Sequence, residues 1–133
     1  MRPGYGLLDT SAIIATDTGR RVDPESMPID VSISVITFAE IETGVYAARD
    51  TETRARRMAT LDWISEFELL PVDDDAAREW ARLRYRLAEA RRRVNINDLW
   101  IASIAIAHGL PVVTQHDDFD MLLDLGGPDV IRV

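Results

Sequence analysis

Cysteine and lysine are both missing from this 133-residue chain, and histidine occurs only twice. Without cysteine there are no disulfides and no thiolate sites, which fits a cytoplasmic protein. Without lysine there is no phosphate-binding loop of the Walker type, no Schiff-base chemistry and no receiver-domain phosphoacceptor site. His108 and His116 are too few for a histidine-based zinc centre. No G-x-S-x-G turn occurs, so a serine hydrolase of that type lacks its nucleophile elbow. Long apolar runs are absent as well. None approaches the roughly 18–20 residues of a membrane span, and residues 1–9 lack the apolar stretch of a signal peptide.

What remains is a chain of ordinary hydrophobic content, 47%, expected to form a single domain over residues 1–133 with a real core. Its formal net charge is −8. An acidic surface repels a phosphate backbone, which argues against broad nucleic-acid binding. Two features moderate that. All 15 basic residues are arginine, and many are grouped: Arg49, Arg54, Arg56 and Arg57, then Arg78, Arg82, Arg84, Arg86 and Arg91, Arg92, Arg93. Part of the negative total also sits in acids that a bound cation would offset.

Hydrophobic periodicity predicts alternating strands and helices. Strands are expected at 5–8, 31–36, 67–72, 110–114 and 130–133. Helices are expected from Thr10, over 37–49, over 51–65 with Met58, Leu61 and Ile64 inward, and from Asp73, Asp74 and Asp75 to Arg92 with Ala77, Trp80, Leu83 and Leu87 inward. Residues 95–97 read as a turn, 98–108 as an apolar helix stopped by Gly109, and 117–125 as a short helix. Such alternation predicts an α/β fold with a mainly parallel sheet. Right-handed crossovers then bring the carboxyl ends of its strands to one edge.

Acids gather at the junctions on that edge: Asp9 in L-L-D-T-S, Glu40 in T-F-A-E, Asp98 in I-N-D-L-W, and Asp117 with Asp118 in Q-H-D-D-F. This is where α/β folds build sites. Carboxylates brought together repel by roughly 4 kcal/mol per close pair at an effective dielectric of 20. Such a cluster persists only if protons or a divalent cation neutralise it, and oxygen donors favour Mg²⁺ or Mn²⁺. Each acid also has a plainer explanation. Thr37-x-x-Glu40 fits a capping box, and Asp9, Asp98, Asp117 or Asp118 could serve helix starts. Taken jointly, four junctions of the same kind point to a site. Arg78, Arg82 and Arg86 read as a solvated helix face. Trp80 and Trp100 read as core, Trp63 as partly exposed, and His108 as a helix C-terminal residue.

The order D-T-S after the first strand, T-x-x-E-x-x-x-G over Thr37 to Gly44, N-D-x-x-I-A-x-x-A over Asn97 to Ala105, and V-T-x-x-D-D-F over Val113 to Phe119 resembles a PIN domain. Among PIN domains it is most similar to VapC-type toxin ribonucleases, and the likeness runs from Asp9 to Phe119. The resemblance implies a three-layer α/β/α fold that cleaves RNA, such as tRNA or rRNA, with Mg²⁺ or Mn²⁺. It places the acidic site on Asp9, Glu40 and Asp98. Relatives often carry the fourth acid where this chain has His116, so that role passes to Asp117 or Asp118. Thr10, Ser11, Asn97, Thr114 and His116 are then expected to orient the ligands. A VapB-type antitoxin is the implied partner, docking on residues 37–67 near Tyr46 and Trp63, in a homodimer or a toxin–antitoxin hetero-oligomer. The alternatives are a PIN-like binding module without turnover and a metal-dependent nuclease acting on another nucleic acid.

Overall fold

A computed structural model describes residues 2–133. Five short strands form one sheet: β1 (Tyr5–Leu8), β2 (Asp30–Ser34), β3 (Leu69–Leu70), β4 (Val112–Thr114) and β5 (Val130–Arg132). Their order is β3-β2-β1-β4-β5, and every neighbouring pair is parallel, so the sheet is wholly rather than mainly parallel. The chain moves outward from β1 to β3 on one side and then returns to lay β4 on the other. The order therefore reverses between β1 and β4, the place where open α/β sheets leave a crevice at their carboxyl ends.

Helices α1 (Thr10–Asp17), α2 (Val35–Ala47), α3 (Thr51–Ile64), α4 (Asp74–Ala90) and α5 (Ile96–Ala107), with a 3-10 helix at Asp118–Leu125, cover the sheet. Strand side chains alternate between faces. Leu7 and Val112 join one core with Leu83, Leu87, Ile101 and Phe119, while Leu8 and Val113 join the other with Ile13, Ile33 and Ile64. The result is the expected three-layer α/β/α arrangement. At the centre the packing is tight. A Cβ on Gly6 would lie 2.6 Å from Val113 Cγ2 and 2.7 Å from Pro28 Cγ, so β1 can lie here only with glycine.

Several element ends differ from expectation, for local reasons. β2 stops at Ser34, not at residue 36, because the Ser34 hydroxyl accepts the Thr37 N–H and caps α2. The β-branched Val35 and Ile36 look like strand but form the first helical turn. β3 shrinks to two residues before Pro71, which has no N–H to continue the ladder. In α3 Ile64 is buried and Leu61 packs on the core as expected, but Met58 is 49% exposed and Thr60 faces inward instead. In α4 the buried residue of the first turn is Ala76, bonded to the Asp73 cap, rather than Ala77. α5 starts at Ile96 under an Asn95 cap, so the expected turn at 95–97 belongs partly to the helix. The final short helix is 3-10 rather than α.

The arginine face of α4 is also not simply solvated. Arg78 is exposed and pairs with Asp74 and Asp75. Arg82 Nη2 donates to Gly126 O at 2.9 Å and Arg86 Nη1 to Leu125 O at 2.9 Å, while Arg92 pairs with Asp124 at 2.6 Å. These guanidiniums cover carbonyls at the C-terminal end of the 3-10 helix, where cations are favoured. They pin the element that carries Asp118. Among the described residues no helix is long and apolar enough to cross a membrane.

Candidate active site

Asp9 leaves the end of β1 and caps α1, and it is only 5% exposed. Its Oδ1 accepts the Ala12 N–H at 3.1 Å and the Ser11 hydroxyl at 2.7 Å. Its Oδ2 accepts the Thr114 hydroxyl at 2.7 Å, across the switch point from the end of β4. Ser11 and Thr114 hydroxyl oxygens lie 3.1 Å apart, and they receive the Gln115 and His116 backbone N–H groups respectively. The D-T-S and V-T motifs are thus one interlocked hydroxyl–carboxylate network. It fixes the Asp9 carboxylate and the turn after β4 together.

Thr10 points to the other side and donates to Glu40 Oε1 at 2.7 Å, with Thr37 Oγ1 at 3.4 Å. Since the cap of α2 is Ser34, Glu40 sits in the second turn of that helix, which removes the capping-box explanation for it. Its carboxylate bonds to α1, not to its own helix start.

Asp98 lies in the first turn of α5, below the Asn95 cap, whose carbonyl accepts the Asn97 and Asp98 N–H groups. Its carboxyl is pushed up to about 6, first by burial, then by the charges of Asp118, Asp9 and Glu40, with His116 opposing. A group feels its neighbours in this way only when they are close in a poorly solvated place. The structure therefore brings Asp9, Glu40, Asp98 and Asp118 into one electrostatic neighbourhood. Asp117 is not among the groups acting on Asp98, although Asp98, Asp117 and Asp118 line a common pocket of about 300 Å³ with Arg93 and Met121. The Asn97 backbone is tied to Asn95, and among the described residues no hydrogen bond joins its side chain to an acid.

Among the described residues no three His, Asp or Glu side chains form a group able to hold an ion by themselves. The donor chemistry still suits a hard divalent ion. All the donors are oxygens, and the mutual repulsion felt at Asp98 is what a cation would relieve. Mg²⁺ characteristically takes one or two carboxylates and completes its octahedron with water, so it does not require a ready three-ligand group. Ser34 and Asn95, the caps that set where Glu40 and Asp98 sit, are not singled out by the sequence reading; Asn95-x-x-Asp98 is the signal that points to the second.

Comparison with known proteins gives a consistent picture. Residues 6–122 match the PIN domain family. The chain is 53% identical over 131 residues to "Ribonuclease VapC5" of Mycobacterium tuberculosis, covering 98% of this chain and 97% of that one. It is 38% identical over 120 residues to "Ribonuclease VapC4" of the same organism, covering 90% and 92%. Its fold superposes with a TM-score of 0.91 on a crystal structure described as a member of the VapBC family of toxin–antitoxin systems, VapBC-5, from Mycobacterium tuberculosis. That match has 51% identity and covers 98% of this chain and 100% of the other.

Proposed function

Because the chain belongs to the PIN-domain family, and within it to the VapC-type ribonucleases, we propose that it is a divalent-metal-dependent endoribonuclease. In this reading it acts in the cytoplasm on structured RNA such as tRNA or rRNA, as the toxin of a VapBC-type pair. The observation that carries the reading is the Asp98 carboxyl, raised to about 6 amid Asp118, Asp9 and Glu40 at the topological switch point. Perturbed carboxylates in a crevice mark functional sites more often than structural ones.

Asp9 and Asp98 would be the principal ligands of Mg²⁺ or Mn²⁺, with Glu40 and Asp118 completing the site through water and Asp117 at its mouth. When bound, the cation supplies an activated water and stabilises charge on the phosphorane and leaving oxygen. The chain's own residues provide orientation. Ser11, Thr114 and the Ala12 N–H hold Asp9 in one rotamer. Thr10 aims Glu40. Among the described residues no group donates a hydrogen bond to the Asp98 carboxyl, which leaves it responsive to what enters the pocket. Cleavage of RNA that stops with chelator, and that is lost in Asp9→Asn and Asp98→Asn, is the expected result. Cleavage that persists through all three would reject the mechanism.

A VapB-type antitoxin is the proposed partner, in a homodimer or a toxin–antitoxin hetero-oligomer, by analogy with the VapBC complex to which this fold is most alike among those described above. Tyr46, 79% exposed on α2, and Trp63, 36% exposed on α3, would receive part of it. Growth arrest on expression, relieved by the neighbouring small protein, is the outcome expected of a toxin. A second reading is a binding module without turnover, favoured by His116 in place of the usual acid and by the absence of a ready three-ligand group among the described residues. Parallel assays on single-stranded RNA and DNA, with and without Mg²⁺, separate it from a ribonuclease and from a nuclease of another specificity.

A further inference from the structure

We infer that the pocket between α4 and α5, walled by Trp80, Leu87, Val94 and Leu99 and rimmed by Arg84 and Arg93, is a subsite for the nucleotide that flanks the scissile phosphate. The inference rests on the ribonuclease reading and names residues that would hold the substrate. The pocket encloses about 340 Å³, within the size range of small-ligand sites. It adjoins the acid pocket directly, because Arg93 and Val94 line both. A nucleotide next to one cut among the carboxylates has this space beside it.

The walls have the required chemistry. Trp80 is held by stacking on Trp100, with ring centroids 5.0 Å apart and planes at 20°. Its Nε1–H is buried and, among the described residues, has no acceptor. An unmatched buried donor costs about 1–3 kcal/mol, so the chain tolerates that cost to keep the indole in the pocket wall. A wall that mixes an indole and aliphatic side chains with arginines offers stacking and charge but no base-specific pattern, so this subsite adds affinity rather than base identity.

Charge decides in favour of RNA. A chain of net charge −8 that must hold a polyanion beside several carboxylates needs uncommitted cations close to them. Most of the nearby guanidiniums are engaged: Arg78, Arg82, Arg92 and Arg132 are in ion pairs, and Arg86 holds a carbonyl. Among the described residues Arg84 and Arg93 have no carboxylate within salt-bridge distance, and both stand at this pocket. With Arg56, which lines a second pocket beside Thr10 and Glu40, they are among the cations free to meet phosphates near the cut, and they are the ones at this pocket.

The test compares wild type, Arg84→Ala, Arg93→Ala and the double variant, with Arg49→Ala and the double Arg20→Ala/Arg49→Ala as charge-matched controls. Each is assayed on a short single-stranded RNA at several KCl concentrations with Mg²⁺. In the double variant KM rises about tenfold with kcat within about twofold, the pattern of lost uniform binding. The logarithmic salt slope falls by about 0.7 for each arginine removed, and the controls change neither. Equal KM and slope in the double variant and the double control would overturn the inference. So would a double variant that binds RNA normally but is no longer neutralised by the antitoxin, since the pocket would then be a protein-docking site. Titration of RNA into the Asp98→Asn background, read by tryptophan fluorescence, keeps the two readings apart. If wild type cleaves nothing, the ribonuclease reading fails. Binding in the Asp98→Asn background that disappears in the arginine double variant still supports the subsite, and binding that survives refutes it.

Discussion

At Asp98 the folded chain holds a proton more tightly than the unfolded chain does, because burial and three neighbouring carboxylates disfavour its charge. A raised carboxyl pKa makes its contribution to stability complete at low pH and erodes it as pH climbs through about 6. Asn cannot ionise and escapes that loss. In metal-free protein Asp98→Asn is therefore expected to melt higher than wild type at pH 7.5 and about equally at pH 4.5. After allowance for solvent screening, the difference at the higher pH is about 1 kcal/mol, or about 4 °C. The same variant is expected to cut no RNA. Identical pH profiles of melting temperature in the two proteins would show that Asp98 does not feel its neighbours. Thr114 offers a second residue-scale test. It is fully buried and donates to Asp9 while accepting the His116 N–H. Thr114→Val keeps the shape but leaves both partners unmatched, so a loss of about 1–3 kcal/mol in urea unfolding is expected, together with reduced cleavage.

Secondary-structure elements reach the site by unequal routes. Asp9, Glu40 and Asp98 ride on strand ends and α-helices, whereas Asp118 rides on a 3-10 helix tethered by Arg82, Arg86 and Arg92. Removing two of those tethers, as in Arg86→Ala with Arg92→Ala, is expected to speed amide exchange over residues 118–125 while leaving the strands protected. Mg²⁺ affinity should drop as Asp118 loses its fixed position. Unchanged exchange there would mean that the tethers are idle. The sequence showed the strands well, because each is a short apolar run fenced by glycine, proline or a cap. It showed Glu40 poorly. Ser34 and Thr37 are both plausible caps, and only the hydroxyl contact between Ser34 and the Thr37 N–H decides between them. The tethering arginines could not be read either, since their carbonyl partners lie 39 and 44 positions further on.

For the molecule as a whole, net charge and site charge act together. The acids at the switch point add to a total of −8, so a divalent cation bound among them would also ease the global imbalance. Millimolar Mg²⁺ is expected to raise the melting temperature of wild type and to leave Asp98→Asn nearly unmoved. Equal shifts in both would place the ion elsewhere. The three-layer order and the location of the acids were both legible from strand–helix alternation, because topology alone forces carboxyl ends to one edge. The partition of roles between Asp117 and Asp118 was not, since it depends on how tightly the chain winds after His116.

The hydroxyl of Thr114 meets the carboxylate of Asp9 across 105 positions of chain. The Oδ1 of Asp9 has partners close by in sequence, in Ser11 and the Ala12 N–H, but Oδ2 has to wait until β4 has been made and has slotted in beside β1. In the ribonuclease reading proposed above, a nascent chain is thus unarmed for most of its own translation, because the carboxylate it would cut with is locked in place only at the end.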